Sequence, residues 1–435
     1  MLPPLRRLLK AFLQLSILIS AIIVVPRSWK PSTSSMSPSQ SPDEVASALL
    51  AKNGLELVSV SLLQSLWAGY GQICRLTAAE AQAVSTSTSP RMHSLILKLI
   101  TPPPTRARDE GHTRKILSYQ VEQYFYSHLA PQLPASVHVA RCLASINEPH
   151  SHGTSTTAMI LNDLKQDFPV AGEKRGALSP TQVNAALDWL SGFHGFWWSQ
   201  AKGFDRAQLV LPPLEEVTHD SEGAAEKSVW LNGGYTYLAT RRSEYNGLVN
   251  DDDSEWTEPL AVPLKGQTQS LSELVAAFLA PSRSGQSPIE DYQTLIHGDV
   301  KSENLFTSQS GEQVVFYDFQ YTGLGLGVCD LAKLFTCSVP LSMLVTDNNI
   351  PDVLEMQGGE RKLLQRYWLG LKHTSNKEYD WETFIQHWET ALVDWLRFQA
   401  SWGFWGNTEW LEARVRGILQ DRQWRDTLLK SVGTK

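Results

Sequence analysis

Cysteine is scarce in this chain. Its four residues in 435, Cys74, Cys142, Cys329 and Cys337, stand far apart, with no Cys-x-x-Cys pair and no histidine in ligand register. That excludes a disulfide framework or structural zinc site as the expected reading and favours free buried thiols. Basic charge is also short. Lysine and arginine number 38 against 45 acidic residues, a formal charge of −7, so no nucleic-acid partner is expected. The deficit is uneven: residues 1–42 hold five basic side chains and no acid, which leaves 33 basic and 45 acidic residues elsewhere. No internal repeat is visible. With 42% hydrophobic and 19% charged residues, the body of the chain is globular, in about two or three folding units.

A full-length membrane span is missing too. Ala11–Val25 is apolar and flanked by basic residues, but its 15 residues fall short of the ~20 that span a bilayer comfortably. Extension back to Leu8, past Lys10, brings it near the limit. Three readings of residues 1–30 compete: a secretory signal or signal-anchor, a mitochondrial presequence, and a start-site artefact. No small-x-small cleavage site stands before Pro26, so membrane attachment is the preferred expectation. Residues 31–42 (PSTSSMSPSQSP) have almost nothing to bury and read as a flexible tether, with the folded part starting near Asp43. Between Ala201 and Pro288 a second soft region is expected, solvated at Asp251-Asp252-Asp253 and strand- or turn-like at Val229–Thr240.

What is present is concentrated in two stretches, Leu295–Phe306 (LIHGDVKSENLF) and Val314–Gln320 (VVFYDFQ). Two apolar runs each end at a carboxylate, with a turn of Ser, Gln and Gly between them. They are expected to form a hairpin that presents Asp299, Asn304 and Asp318 on one rim. Phosphoryl transfer asks a protein mainly to align an acceptor hydroxyl and to neutralise phosphate charge. A carboxylate such as Asp299 can hold and deprotonate that hydroxyl. The Asn304 amide oxygen and the Asp318 carboxylate are hard donors suited to Mg²⁺, and Lys301 can reach the transferred group as a point charge. His297 is expected to pack behind the loop rather than act as a base. The bland alternative is a pair of turns on a structural hairpin.

His297-Gly298-Asp299 through Asn304, then Asp318-Phe319-Gln320 and Cys329-Asp330-Leu331-Ala332, resembles the aminoglycoside phosphotransferase and choline kinase-like superfamily of small-molecule kinases. Within it, the likeness is greatest to the choline kinase-like and ecdysteroid kinase-like branch. The resemblance spans roughly residues 55–410 and is dense only in 295–333. It implies an α+β, bilobal, protein-kinase-like fold using ATP and Mg²⁺. A small N-lobe with an antiparallel sheet and one helix would occupy residues 43–165. A larger, mostly helical C-lobe would occupy 166–435, with an insertion at about 201–290. Asp330 would steady the catalytic loop.

Such a fold makes demands upstream. Gly69-Tyr70-Gly71 supplies glycines where backbone N–H groups can approach phosphate, although alone it reads as an ordinary hairpin turn; a third glycine is absent. Ser94–Ile100 alternates with Leu95, Leu97 and Leu99 on one face and Lys98 on the other. Lys98 is either a solvated edge-strand lysine or the phosphate-binding lysine paired with a helix carboxylate. Glu122, 24 residues on in the helical pattern Arg114–Leu129, is the expected partner. Leu161, Asn162 and Asp163 correspond to the superfamily's adenine-binding hinge. Thr181–Trp198 reads as a core helix with His194 a satisfied interior histidine. The Trp-rich helices of the C-terminal third are expected mainly to pack, with some aromatic faces free to hold a cationic acceptor.

The expected function is an ATP- and Mg-dependent kinase acting on a hydroxyl of a small-molecule acceptor, as a monomer or dimer. Two alternatives are a protein kinase, opposed by Gly298, Gln320 and the missing activation segment, and a nucleotide-binding pseudokinase scaffold.

Overall fold

The computed structural model describes residues 41–81, 90–103, 109–149, 155–219, 227–263, 266–347 and 349–433. The expected targeting segment and nearly all of the linker lie outside them. No helix among the described residues is long and apolar enough to cross a membrane.

The first lobe begins with α1 (Pro42–Ala51). Ser41 and Glu44 cap one another's backbone, and proline sits in the first turn, where its missing N–H costs nothing. Strands β1 (Leu55–Ser65), β2 (Gly71–Glu80) and β3 (Met92–Ile100) follow, then α2 (Glu110–Tyr124), β4 (Cys142–Pro149) and β5 (Ser155–Asn162). They form one antiparallel sheet in the order β1-β2-β3-β5-β4. The alternation in β3 sorts its two faces. Leu95, Leu97 and Leu99 join Leu76 against Val45, Ala46, Leu49 and Leu50 of α1. Lys98 points to the other face, toward α2. Because β3 is central, the edge-strand reading of Lys98 is wrong. The expected helix Arg114–Leu129 is in fact two pieces: α2 runs into a π-helical turn, Phe125–Leu129, whose Phe125 stacks on Phe319 with ring centroids 3.8 Å apart. The wider turn lets the helix end reach the second lobe.

The second lobe contains β6 (Val170–Ala171), α3 (Pro180–Trp198), α4 (Pro213–His219), α5 (Arg242–Val249), α6 (Leu271–Leu279), β7 (Thr294–Ile296), β8 (Leu305–Thr307), β9 (Val314–Phe316) and β10 (Gly323–Gly325). Helices α7 (Val328–Cys337), α8 (Leu341–Leu344), α9 (Gly358–Ser375), α10 (Trp381–Trp402), α11 (Thr408–Gln420) and α12 (Arg422–Val432) complete it. This is the α+β, bilobal, kinase-like arrangement expected. Helix α3 is buried nearly all round and packs along α9. Trp388, Trp410 and Trp424 fill the helical core. Buried Arg414 joins α9, α10 and α11 by pairing with Glu360 at 2.9 Å and Glu389 at 3.2 Å.

Three expectations need correction. The expected hairpin is narrower than the two stretches: β8 and β9 form it, with β6 beside β8, whereas β7 leaves it and pairs with β10. The described residues of 201–288 are not soft. Leu211, Trp230, Leu260, Leu271 and Phe278 are core residues, and apolar burial outweighs the polar composition that suggested a loop. In its acidic run Asp252 and Asp253 are exposed and Asp251 is half-buried. All four cysteines are free, but Cys74 alone is buried.

Candidate active site

Strand β7 ends at Ile296, and His297-Gly298-Asp299 turns away from it. Gly298 has φ +87°, and a Cβ there would lie 2.3 Å from the Tyr321 carbonyl oxygen and 2.8 Å from Gly234 N. This explains glycine where protein kinases carry arginine: no side chain fits. The turn hangs on Asp330, whose carboxylate accepts the N–H of His297 at 2.7 Å and of Gly298 at 2.9 Å. Burial alone would raise the Asp330 pKa, but the hydrogen bond from His194 and nearby positive charge hold it below the usual carboxylate range. His194 is in turn bonded to Tyr367 at 2.8 Å, a fully satisfied interior histidine. His297 is buried, its Nε2 on the Tyr317 carbonyl, and burial depresses its pKa. It holds the loop and does not face an acceptor.

Asp299 receives two bonds from Asn304, on its carbonyl at 2.8 Å and on Oδ2 at 2.9 Å. Lys301 meets the same Oδ2 at 3.1 Å and Glu303 at 3.8 Å. Burial works against the Lys301 charge, yet Asp299 and Glu303 more than offset it and hold its pKa above the ordinary value. The Asn304 nitrogen is thus committed, leaving the amide oxygen as the atom for a cation. Tyr317 N–H donates to the Asn304 carbonyl at 3.0 Å, bringing the Asp318 turn alongside. Asp318 is a non-glycine residue with φ +68°. Burial would raise its pKa, but Lys98, at 3.2 Å from Oδ1, prevails and lowers it.

Lys98 also meets Glu122 at 2.5 Å, with both side chains almost wholly buried. Burial would depress the Lys98 pKa, and the Asp318 and Glu122 carboxylates reverse this and raise it. The glycine turn lies nearby: Tyr70 packs with Ile100 and Tyr119, and Lys98 Nζ is 5.4 Å from the Tyr119 ring centroid. The two glycines differ. Gly69 (φ +74°) has open space where a Cβ would stand, whereas a Cβ on Gly71 would lie 2.0 Å from the Leu99 carbonyl oxygen. Gly71 is therefore required by strand packing, and only Gly69 faces room for a ligand. The expected hinge is more constrained than the sequence suggested. Leu161 is paired within the sheet to Ile96 and Cys142, Asn162 N–H is on the Arg141 carbonyl, and Asp163 N–H is on the Ser94 carbonyl. Asp163 instead uses its carboxylate, bonded by Arg75 at 2.9 Å and Ser94 at 2.8 Å. The N–H groups of Asn162 and Asp163 are already used, so an adenine would have to bond elsewhere on this segment.

Several residues were not anticipated. Gln320 donates to Asp318 Oδ1 at 2.7 Å and accepts from Ser118 at 3.2 Å, linking Asp318 to α2. Ser118 stands one helical turn before Glu122, a register visible in the sequence. Trp230 donates its indole N–H to the Gln320 carbonyl at 2.9 Å. Arg241 is buried with its guanidinium 5.5–5.6 Å from the ring centroids of Tyr235, Phe398 and Trp402. Those rings, beside the Lys301 ammonium over Tyr235, already hold a cation of the protein itself.

Among the described residues no three His, Cys, Asp or Glu side chains converge as a metal site. A site of one carboxylate and one amide oxygen, completed by phosphate oxygens, is nevertheless what Mg²⁺ accepts, since it keeps much of its shell outside the protein. The donors at Asp318 and Asn304 fit that demand.

Several solved structures are similar to this chain at low identity. Choline kinase from Cryptosporidium parvum Iowa II is 10% identical with a TM-score of 0.37, over 86% of this chain and 88% of its own. A macrolide 2'-phosphotransferase from Brachybacterium faecium is 11% identical at TM-score 0.39, over 87% and 98%. Plasmodium vivax ethanolamine kinase is 11% identical at 0.32, over 86% and 84%. No curated protein matches the sequence. The family model that does match covers residues 70–354, from the glycine turn past Asp330, and on that extent the chain belongs to the ecdysteroid kinase-like family.

Proposed function

We propose that this protein is a kinase that transfers the γ-phosphoryl group of ATP, with Mg²⁺, to a hydroxyl of a small-molecule acceptor. The observation that carries the reading is the meeting of Lys98, already paired with Glu122, and Asp318, while Asn304 orients Asp299 alongside. In this reading Lys98 binds the nucleotide phosphates, and the Gly69 turn closes over them. Asn304 and Asp318 hold Mg²⁺, which when bound neutralises phosphate charge. The contacts on Asp299 fall on Oδ2, so Oδ1 serves to align the acceptor hydroxyl and take its proton. Lys301 keeps Asp299 in place and lends positive charge to the transferred group.

A small acceptor is favoured over a protein one. Between Asp318 and α7 the chain is taken up by β10, paired to β7, which leaves no segment to form a platform for a peptide. The choline kinases, ethanolamine kinases and antibiotic phosphotransferases named above agree with that class. The test combines thermal shift by ATP, with and without Mg²⁺, and an ATP-consumption screen over amino alcohols, sterols, sugars and aminoglycosides beside a generic protein substrate. A Mg-dependent stabilisation and turnover with a small alcohol are expected. Absence of any nucleotide-dependent shift would sink the proposal, and turnover with the protein substrate alone would move it to the protein-kinase class.

A further inference from the structure

Behind the catalytic loop lies a pocket of about 240 Å³ that the arrangement above does not use. Its floor includes Lys333 of α7, Ile296 of β7 and Gly325 of β10, and one wall is the alanine-bearing side of α6. Asp299, Asn304 and Asp318 are not among its lining residues. At the mouth Arg242 and Glu273 face one another at 3.7 Å with partly exposed side chains. The pocket is therefore open at one end and closed at the other by an ammonium group.

That ammonium has no direct ion-pair partner among the described residues, although its charge reaches Asp330, three residues back on the same helix. Lys333 is only 4% exposed, and its hydrogen bond is to the Cys329 carbonyl one turn back, at 3.2 Å. Among the described residues no carboxylate lies within ion-pair distance of it. The other charges of the pocket are already engaged: Glu273 by Arg242 and the cap at Ser270, and Asp394 by Arg397 at 2.8 Å. A buried ammonium with no anion in direct contact is costly, and here there is room for one. Ala276 and Ala277 of α6 and Ala280 just beyond it make that room, because larger side chains there would fill it.

We propose that this pocket binds a small organic anion, a monocarboxylate with a short hydrocarbon body. Its carboxylate sits on Lys333 and its chain lies along the alanine wall. The occupant would rest beside the catalytic loop without reaching Asp299, because Gly234 intervenes: a Cβ there would be 3.6 Å from Lys333 Nζ and 3.7 Å from the Gly298 carbonyl oxygen.

The test is calorimetric titration of the full chain with hexanoate at fixed ionic strength, against 1-hexanol and hexylamine. Saturable one-site binding of hexanoate is expected, with both controls at least about tenfold weaker, since neither supplies an anion. Lys333→Met should weaken hexanoate by a similar factor. Ala277→Phe narrows the mouth without touching the charge or the core, and should weaken it as well; it carries the test if Lys333→Met does not fold. No saturable binding, equal binding of 1-hexanol, or an unchanged hexanoate affinity in the folded variants would overturn the proposal.

Discussion

Lys98 Nζ lies 3.2 Å from Oδ1 of Asp318, a residue 220 positions away. Because the same ammonium is 2.5 Å from Glu122, one cation joins the sheet, α2 and the Asp318 turn. Lys98→Met leaves Glu122 buried without its counter-charge and removes a partner from Asp318. We expect turnover to fall by about 10²–10³-fold and stability by about 3 kcal/mol in urea unfolding. The double variant Lys98→Met/Glu122→Gln should regain most of the stability and none of the turnover. Recovery of both would mean that the pair is structural only.

Asp299 and Asp318 are neighbours with different expected tasks, so their variants should differ in kind. Asp299→Asn keeps the shape and is expected to leave nucleotide affinity within about twofold while lowering transfer by about 10³-fold. Asp318→Ala should flatten the Mg²⁺ dependence of nucleotide binding. Equal Mg²⁺ titrations of wild type and Asp318→Ala would remove Asp318 as a cation ligand, and unchanged turnover in Asp299→Asn would remove the base.

Gly298 is enclosed by backbone on two sides and has a positive φ, so its smallest enlargement is informative. Gly298→Ala is expected to cost about 2 kcal/mol or more in unfolding free energy and to lower turnover, because the loop must move to relieve the contact with Tyr321. An alanine variant as stable and active as wild type would show that the loop has more freedom than its hydrogen bonds to Asp330 imply.

Legibility from the sequence followed the range of the interactions. Lys98, Glu122 and the Leu95-Leu97-Leu99 face could be read because a lysine inside an apolar strand needs a partner, and strand alternation and helix register are local properties. The role of Asp330 could be expected only through resemblance, since its bonds to His297 and Gly298 cross more than 30 residues. Strand pairing was misread for the same reason: β7 chooses β10 over the nearer β8–β9 hairpin. The acidic, Pro-containing composition of 201–288 concealed Trp230 and Arg241, whose burial is decided by distant α10 and by the Gln320 turn. At the expected hinge, the backbone bonds that occupy the Asn162 and Asp163 N–H groups are not encoded in composition.

Arg241 lies beside three aromatic rings, one of which, Tyr235, also faces Lys301, and this bears on acceptor choice. A quaternary ammonium needs free ring faces, and Tyr235, Phe398 and Trp402 each already have the Arg241 guanidinium 5.5–5.6 Å from the ring centroid. Choline is therefore expected to be phosphorylated at least about tenfold less efficiently, by kcat/KM, than the best uncharged alcohol in the same panel. Choline as the preferred substrate would place its recognition on other residues.

His387 on α10 gives a pH signature of the C-terminal helices independent of catalysis. It is buried beside Phe278 and Tyr292, and the Tyr379 hydroxyl hydrogen-bonds its Nδ1. Burial pushes its pKa down to about 4, with Asp380 opposing weakly. An unfolded chain releases the same proton near pH ~6.5. Between those values the unfolded state binds a proton that the folded state refuses, so stability decreases as pH falls. The contribution is whole above pH ~6.5 and is lost as pH drops through about 4. His387→Gln can still accept from Tyr379 but cannot be protonated. Urea unfolding at pH 7.5, 6.5 and 5 should show the wild type losing about 2 kcal/mol more than the variant between the last two values. The depressed His297 is common to both proteins and drops out of the comparison. Parallel losses in the two proteins would mean that His387 takes up its proton without unfolding the helices around it.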